Sequence, residues 1–290
     1  MSSKKNSKEY LRIPPWLRTP LPEKKNYSCT TDLLSDLNLN TVCQSAKCPN
    51  KWECFSRDVA TFLIMGTNCT RNCRFCNINP GMPQPLEPDE PKRISEAVRR
   101  MNLKHVVITS VTRDDLPDGG AAHFAAVINI LREEHPDCTT EVLIPDFRGD
   151  LDALKTVLNA KPSIVNHNVE TAPDMYSAVR PEADYQQSLE LLARVKELAP
   201  EIPAKSGLMV GLGESKEGIL QVIDDLAAID CDIVTVGQYM RPTKDHPAVK
   251  YYMPPEEFEE LAEYGKSKGI KNMFSAPLVR SSYNADMFVK

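Results

Sequence analysis

With 290 residues, 41% hydrophobic and 26% charged, the chain has the composition of a globular protein and the length of one large domain or two ordinary ones. Thirty-five basic against forty acidic side chains leave a net charge of −5, which disfavours nucleic acid as a principal partner. The longest apolar stretch, near 59–65, is far too short for a bilayer, and the polar start Met1-Ser-Ser-Lys-Lys-Asn lacks the apolar core of a secretory leader, so no membrane role and a cytoplasmic location are expected.

Residues 1–58 read as an irregular extension, because Pro14, Pro15, Pro20 and Pro22 interrupt any helix. A different rhythm begins at Val59. Strand-like runs over 59–65, 105–111, 141–145, 163–169, 204–210 and 232–238 alternate with helical patterns over 92–101, 121–134, 151–159, 185–198, 216–229 and 255–268. In the fifth helix Ile219, Val222, Ile223 and Leu226 recur at i, i+3, i+4 and i+7, one face at 3.6 residues per turn. The sixth opens on Pro254-Pro255 and stops at Gly269. A weak seventh run over 272–275 follows, and 276–290 read as a tail.

Strict alternation of strand and helix means an α/β chain with a parallel sheet and right-handed crossovers. Six units fall short of the eight that close a barrel, so residues 59–275 read as an incomplete, open-sided (β/α)6 TIM-like barrel. A doubly wound open sheet is the alternative that periodicity alone does not exclude. In both, ligands gather at the carboxyl ends of the strands.

Nine cysteines stand at 29, 43, 48, 54, 69, 73, 76, 138 and 231. An odd number without a leader argues against a disulfide framework. Cys29, Cys138 and Cys231 fit single buried thiols. The other six form two triads, Cys43-x4-Cys48-x5-Cys54 and Cys69-x3-Cys73-x2-Cys76. The second follows the first strand, beyond the breaker Gly66. Three thiolates within eight residues can wrap a compact polynuclear centre, whereas a structural zinc wants four protein ligands. The arithmetic favours an open iron–sulfur cluster.

Gly66-Thr-Asn-Cys69-Thr-Arg-Asn-Cys73-Arg-Phe-Cys76 resembles the cluster loop of the radical S-adenosylmethionine (SAM) superfamily, with Phe75 as its usual aromatic. The resemblance implies a four-iron–four-sulfur cluster on Cys69, Cys73 and Cys76. Its open iron would hold the amino and carboxylate groups of SAM, which is cleaved to a 5′-deoxyadenosyl radical. Cys43-Gln-Ser-Ala-Lys-Cys48-Pro-Asn-Lys-Trp-Glu-Cys54 is similar to the auxiliary-cluster segment of the lipoyl synthase family. Pro14-Pro-Trp-Leu-Arg18, Ser110-Val-Thr-Arg-Asp-Asp-Leu116, Asp118-Gly-Gly120, Asn166-His-Asn-Val-Glu-Thr171, Val179-Arg-Pro181 and Arg280-Ser-Ser-Tyr283 carry the likeness along the rest of the chain.

That resemblance implies a second four-iron–four-sulfur cluster held by Cys43, Cys48, Cys54 and a serine oxygen. Ser282 is preferred to Ser281, although spacing does not decide between them, and a serine is a harder, weaker ligand for iron than a thiolate. It further implies insertion of two sulfur atoms at carbons 6 and 8 of an octanoyl chain, with the auxiliary cluster consumed as donor. The chain would be amide-linked to a lysine of a lipoyl carrier domain, in 2-oxoacid dehydrogenase E2 subunits or the glycine cleavage H protein. Reduced ferredoxin or flavodoxin would supply the electron. The rival readings are a radical enzyme with an accessory cluster similar to biotin synthase, and a non-enzymatic iron–sulfur or zinc protein.

Asn168 and Glu170, two apart and so on one face at the end of the fourth strand, suit the ribose hydroxyls of SAM. Arg180 suits its carboxylate as a fork donor, and Thr112 with Asp114 its amino group. Gly211-x-Gly213 with Glu214 lacks the full phosphate-loop fingerprint and reads as a tight turn. His105, His123, His135, His167 and His246 are scattered and read as core or surface. Lys92, Arg93, Arg99, Arg100 and Lys104 form a candidate basic patch toward the carrier domain.

Overall fold

The computed structural model describes residues 11–18, 24–56 and 60–282, without the side chains of 24–29 and 56. Met1, Pro20, Pro22, Val59, Tyr283 and the side chain of Cys29, all named above, lie outside the described residues. After a 3-10 turn at Pro15–Leu17 come α1 (Lys24–Asp36), β1 (Asn40–Thr41), α2 (Val42–Ser45) and α3 (Lys51–Ser56). Then follow β2 (Thr61–Ile64), β3 (Asn68–Cys69), β4 (Asn79–Pro80), α4 (Glu90–Met101), β5 (His105–Ser110), α5 (Ala121–Glu134) and β6 (Thr139–Leu143). The remainder is α6 (Leu151–Asn159), β7 (Ile164–Asn166), α7 (Tyr176–Val179), α8 (Tyr185–Leu198), β8 (Ala204–Val210), α9 (Lys216–Ala228), β9 (Ile233–Gln238), α10 (Pro255–Ser267) and β10 (Asn272–Ser275).

The main sheet runs β1-β2-β5-β6-β7-β8-β9-β10. Every pairing is parallel except β1 on β2. Each new strand is added on the same side of the last. Right-handed crossovers then carry every helix to one face, whereas a doubly wound sheet must reverse its order. The sheet is therefore an open partial barrel, and among the described residues β10 does not close onto β1. The weak run at Asn272–Ser275 is a true edge strand, paired in parallel with β9.

Local chemistry explains the helices. Asp150, Asp184 and Ser215 accept backbone N–H bonds at the starts of α6, α8 and α9, each supplying an oxygen to donors that the helix itself leaves unpaired. Ile219, Val222, Ile223 and Leu226 are all buried, as their spacing predicts. Two differences from the sequence reading matter. The extension to residue 58 is not wholly irregular: beyond the prolines the chain winds into α1 and α3, which pack together with Leu34 and Phe55 almost fully covered. And the strand expected over 163–169 ends at Asn166, so Asn168 and Glu170 lie on the loop beyond it. There Glu170 takes a left-handed φ of 68°.

Candidate active site

At the end of β2, Met65 and Gly66 turn left-handed, with φ of 66° and 93°, and release the chain into the Cys69–Cys76 loop. The loop is closed on itself by the β3–β4 ladder and by Gly81 N–H donating to the Cys69 carbonyl at 2.8 Å. It is also fastened to the segment after β5 and to the end of α7 and the loop beyond it. Thr70 N–H donates to the Thr112 carbonyl, Arg74 N–H to the Val179 carbonyl, and Asn72 N–H to Glu182 Oε2. Arg71, between the first two cysteines, forks onto Asp114 at 2.7 and 3.0 Å and onto Asp146 at 2.7 and 2.6 Å. Burial opposes ionisation of Asp146, but the Arg71 bonds and charge outweigh it and hold the carboxyl well below the usual range.

One sulfur of the loop has backbone donors turned toward it. Backbone N–H groups of Thr112 and Arg71 lie 3.3 and 3.5 Å from Cys69 Sγ. Burial, then the neighbouring thiols, pushes Cys76 up to about 12, and burial pushes Cys43 up to about 11. As bare thiols they keep their protons, which a bound iron would replace. His246 Nε2 is 3.1 Å from the Cys76 carbonyl and Nδ1 is 2.8 Å from Thr243 Oγ1. A carbonyl only accepts, so Nε2 carries the proton and the threonine hydroxyl donates to Nδ1.

The first triad is wrapped by local turns. Thr41 Oγ1 caps α2, burying Cys43; Cys48 N–H donates to the Cys43 carbonyl, and Cys54 N–H to that of Asn50. Asn77 Nδ2, just past the other triad, donates to the Ser45 carbonyl at 2.7 Å and ties the two segments together. Cys43, Cys48, Cys54 and Ser282 line one small cavity of about 20 Å³ together with Arg280. Ser281 Oγ instead accepts from Asn168 Nδ2 at 3.3 Å.

Between the triads lies a chamber of about 320 Å³ at the carboxyl ends of the strands. Cys69, Cys73 and Cys76 line one part of it and Cys43, Cys48 and Ser282 another, with Leu63, Phe75, Leu143, Ile144 and Met209 among its apolar walls. Thr112, Asn168, Glu170 and Arg180 all reach it. Asn168 Nδ2 donates to Glu170 Oε1 at 3.2 Å, and Arg180 Nη1 donates to the Asn168 and Val169 carbonyls and to Tyr176 Oη. Asn168 Oδ1 and Arg180 Nε are buried with no partner among the described residues, an acceptor and a donor of the kind a polar ligand would satisfy. Burial raises the Glu170 carboxyl against the lowering charge of Arg180.

Among the described residues no three His, Cys, Asp or Glu side chains converge on a single ion. Two sets of three sulfurs bordering cavities fit polynuclear clusters better than a closed tetrahedral zinc.

Not every expectation lands at this chamber. The carboxylate of Asp114 is engaged by Arg71 and Arg148 and is not free for an amino group. Glu214 accepts from the N–H groups of Gly211, Leu212 and Gly213, so the glycine turn is filled by its own carboxylate and rejects a phosphate. Arg93 pairs with Glu87 and Asp89, and Arg99 and Arg100 with Glu96, which neutralises most of the basic patch. Sequence reasoning gave no role to Arg71 or Asp146, and read His167 and His246 only as core or surface; His167 is buried. Arg71's place between two cysteines was its one visible signal; the others depend on contacts between distant segments.

Comparison with known proteins agrees with this geometry. The radical SAM superfamily matches residues 63–226, and the N-terminal domain of lipoyl synthase of the radical SAM family matches residues 1–48. Lipoyl synthase of Oleidesulfovibrio alaskensis is 62% identical over 290 residues, covering 100% of this chain and 99% of its own. Lipoyl synthase of Caldanaerobacter subterraneus is 54% identical over 277 residues, covering 96% of this chain and 97% of its own. Among solved structures, methylornithine synthase superposes with a TM-score of 0.53 at 14% identity, over 89% of this chain and 87% of that one. HydG, a maturase of the FeFe-hydrogenase, gives 0.57 at 14% identity, over 86% and 63%. At such identities the structural likeness is one of fold.

Proposed function

The chain belongs to the lipoyl synthase family of radical SAM enzymes, and from that premise we propose that it inserts two sulfur atoms, at carbons 6 and 8, into a protein-bound octanoyl chain. The observation that carries this reading is the shared chamber: Cys69, Cys73 and Cys76 border the same apolar space as Cys43, Cys48 and Ser282. When bound, a cluster on Cys69, Cys73 and Cys76 with SAM supplies a 5′-deoxyadenosyl radical, and a cluster on Cys43, Cys48, Cys54 and Ser282 supplies sulfur.

The chain's own residues position and shield. Asn168 and Glu170 offer paired acceptors and a donor to the ribose hydroxyls. Arg180 directs its unused Nε–H at the carboxylate of SAM, and Thr112 borders its amino group. The apolar walls would take the aliphatic chain and exclude water, so that a carbon which has given up its hydrogen to the adenosyl radical faces the sulfur donor rather than solvent. Ser282 is the fourth auxiliary ligand because it borders the same small cavity as Cys43, Cys48 and Cys54, whereas Ser281 is turned to Asn168. The organisation follows: 1–58 brings the auxiliary cysteines, 59–275 the barrel, 276–290 the serine. The octanoyl chain is carried throughout by lipoyl carrier domains, E2 subunits or the glycine cleavage H protein; the reductant is ferredoxin or flavodoxin in the cytoplasm. No helix of the described residues is long and apolar enough to cross a membrane.

The test is mass spectrometry of an octanoylated carrier peptide incubated with the reconstituted protein, dithionite and SAM. A gain of two sulfurs on the octanoyl chain is expected; its absence, with SAM still cleaved, would favour another radical chemistry.

A further inference from the structure

We propose that Gly237 and Asn50 are positioning residues that together seat the strap formed by residues 276–282 and so set where Ser282 stands against the auxiliary cysteines. The functional part of this rests on Ser282 being the fourth ligand; the seat itself rests on contacts. β10 ends at Ser275, and the chain then leaves the sheet edge across β9. Ala276 N–H donates to the Val236 carbonyl at 3.1 Å, Gln238 N–H donates to the Pro277 carbonyl at 3.2 Å, and Val279 N–H closes a turn on the Ala276 carbonyl. Between Val236 and Gln238 lies Gly237, and the strap passes directly over it.

A Cβ at Gly237 would sit 2.1 Å from the Val279 carbonyl oxygen, 3.0 Å from its carbon and 3.1 Å from Arg280 Nη1. All three of these nearest atoms belong to the strap. Gly237 has an ordinary strand conformation, so glycine is required here for close approach rather than for backbone freedom. The clash falls on backbone, which cannot rotate away as a side-chain tip can.

Asn50 grips the strap from the other side. It is 2% exposed, and its Nδ2 donates to the Leu278 carbonyl at 2.7 Å. Its own carbonyl accepts from Cys54 N–H at 3.0 Å. One residue, lying between Cys48 and Cys54, thus touches both the backbone that carries the triad and the segment that brings the serine. A serine hydroxyl binds iron weakly compared with a thiolate. Its placement therefore depends on a scaffold that holds it in position beforehand, and Gly237 and Asn50 provide one.

The experiment compares the full chain with Gly237→Ala, Asn50→Asp and Ser282→Ala. It reads hydrogen exchange of peptides covering 276–282 without metal, and iron content and SAM cleavage after anaerobic reconstitution. Gly237→Ala should speed strap exchange at least about tenfold and lower iron below the about eight atoms of two cubanes. SAM cleavage should be retained, since Cys69, Cys73 and Cys76 are untouched, with a loss of no more than about fivefold passed on through the Ser281–Asn168 bond. Asn50→Asp, which turns a carboxylate oxygen on the Leu278 carbonyl, should do the same without adding bulk and decides the matter if Gly237→Ala does not fold. Strap exchange and iron unchanged in the folded variants would overturn the seat. Ser282→Ala with full iron would overturn the ligand reading alone, because strap exchange reports the seat independently.

Discussion

The two cysteine triads meet at one chamber, which Cys54 does not itself line, but they are held by different means. The Cys69–Cys76 loop is fastened by buried charge: Arg71 forks onto two carboxylates whose side chains are 11% and 0% exposed, and the loop closes on itself through a short ladder. The Cys43–Cys54 segment is held by short helical turns, by the amide of Asn77, and by a strap arriving from the far end of the chain. A buried ion pair fixes geometry at a high cost if either partner is lost, whereas single neutral hydrogen bonds can open at about 1 kcal/mol each. The contrast suits a site that turns over many times beside one that, in the proposed reaction, is dismantled and rebuilt.

The largest expected effects would break that comparison outright. Cys69→Ala should abolish SAM cleavage, while Cys48→Ala should leave cleavage intact and abolish sulfur transfer; deoxyadenosine and thiolated product, measured in the same assay, separate the two. Loss of cleavage in both would end the division of labour. Next in size is Arg71→Ala, which strands Asp146 as a buried charge. A stability loss of about 3–5 kcal/mol is expected in denaturant titration, with SAM cleavage down at least about tenfold and the auxiliary iron retained. Equal iron loss from both triads would show that the clamp is not local to one.

A smaller effect concerns pH. Burial, then the charge of Arg180, pushes the buried His167 imidazole down to about 4 from 6.5, and its Nδ1 lies 2.9 Å from the Ile144 carbonyl. Because the folded value is depressed and the group is a base, the unfolded chain takes up the proton first. Stability should therefore fall as pH drops from about 6.5 to about 4, by about 3 kcal/mol in all. His167→Gln should flatten that slope; an unchanged slope would mean that other groups produce it. The smallest effect is expected from Arg99→Ala with Arg100→Ala, exposed partners of Glu96: no measurable change in the denaturant midpoint, with both iron sites intact.

Much of this was legible in the sequence, for definite reasons. Helices with a 3.6-residue stripe appear where the pattern puts them, Ala121–Glu134, Leu151–Asn159 and Tyr185–Leu198 to the residue, the last two behind an aspartate cap. The six clustered cysteines are visible because thiols rarely group without a metal or a disulfide. What stayed hidden depends on long-range closure. The 163–169 run reads as one strand, yet its ladder stops after Asn166: Val169 N–H goes to Ser206 Oγ and Glu170 turns left-handed, contacts with another strand that the run itself does not reveal. Arg71 looks like any charged loop residue until Asp114 and Asp146 arrive from two other strand ends. Gly237 looks like a strand glycine until a segment 40 residues on lies across it.

In the proposed reaction the triad of Cys69, Cys73 and Cys76 would leave one iron open to SAM, whereas the other triad, with Ser282 as its fourth ligand, would not. Electron paramagnetic resonance of the reduced protein, recorded with and without SAM, tests it most directly. One cubane signal should change on addition of SAM, and that change should persist in Cys48→Ala and vanish in Cys69→Ala. A spectrum that SAM leaves unaltered, or a change that survives only when Cys48 is present, would contradict it.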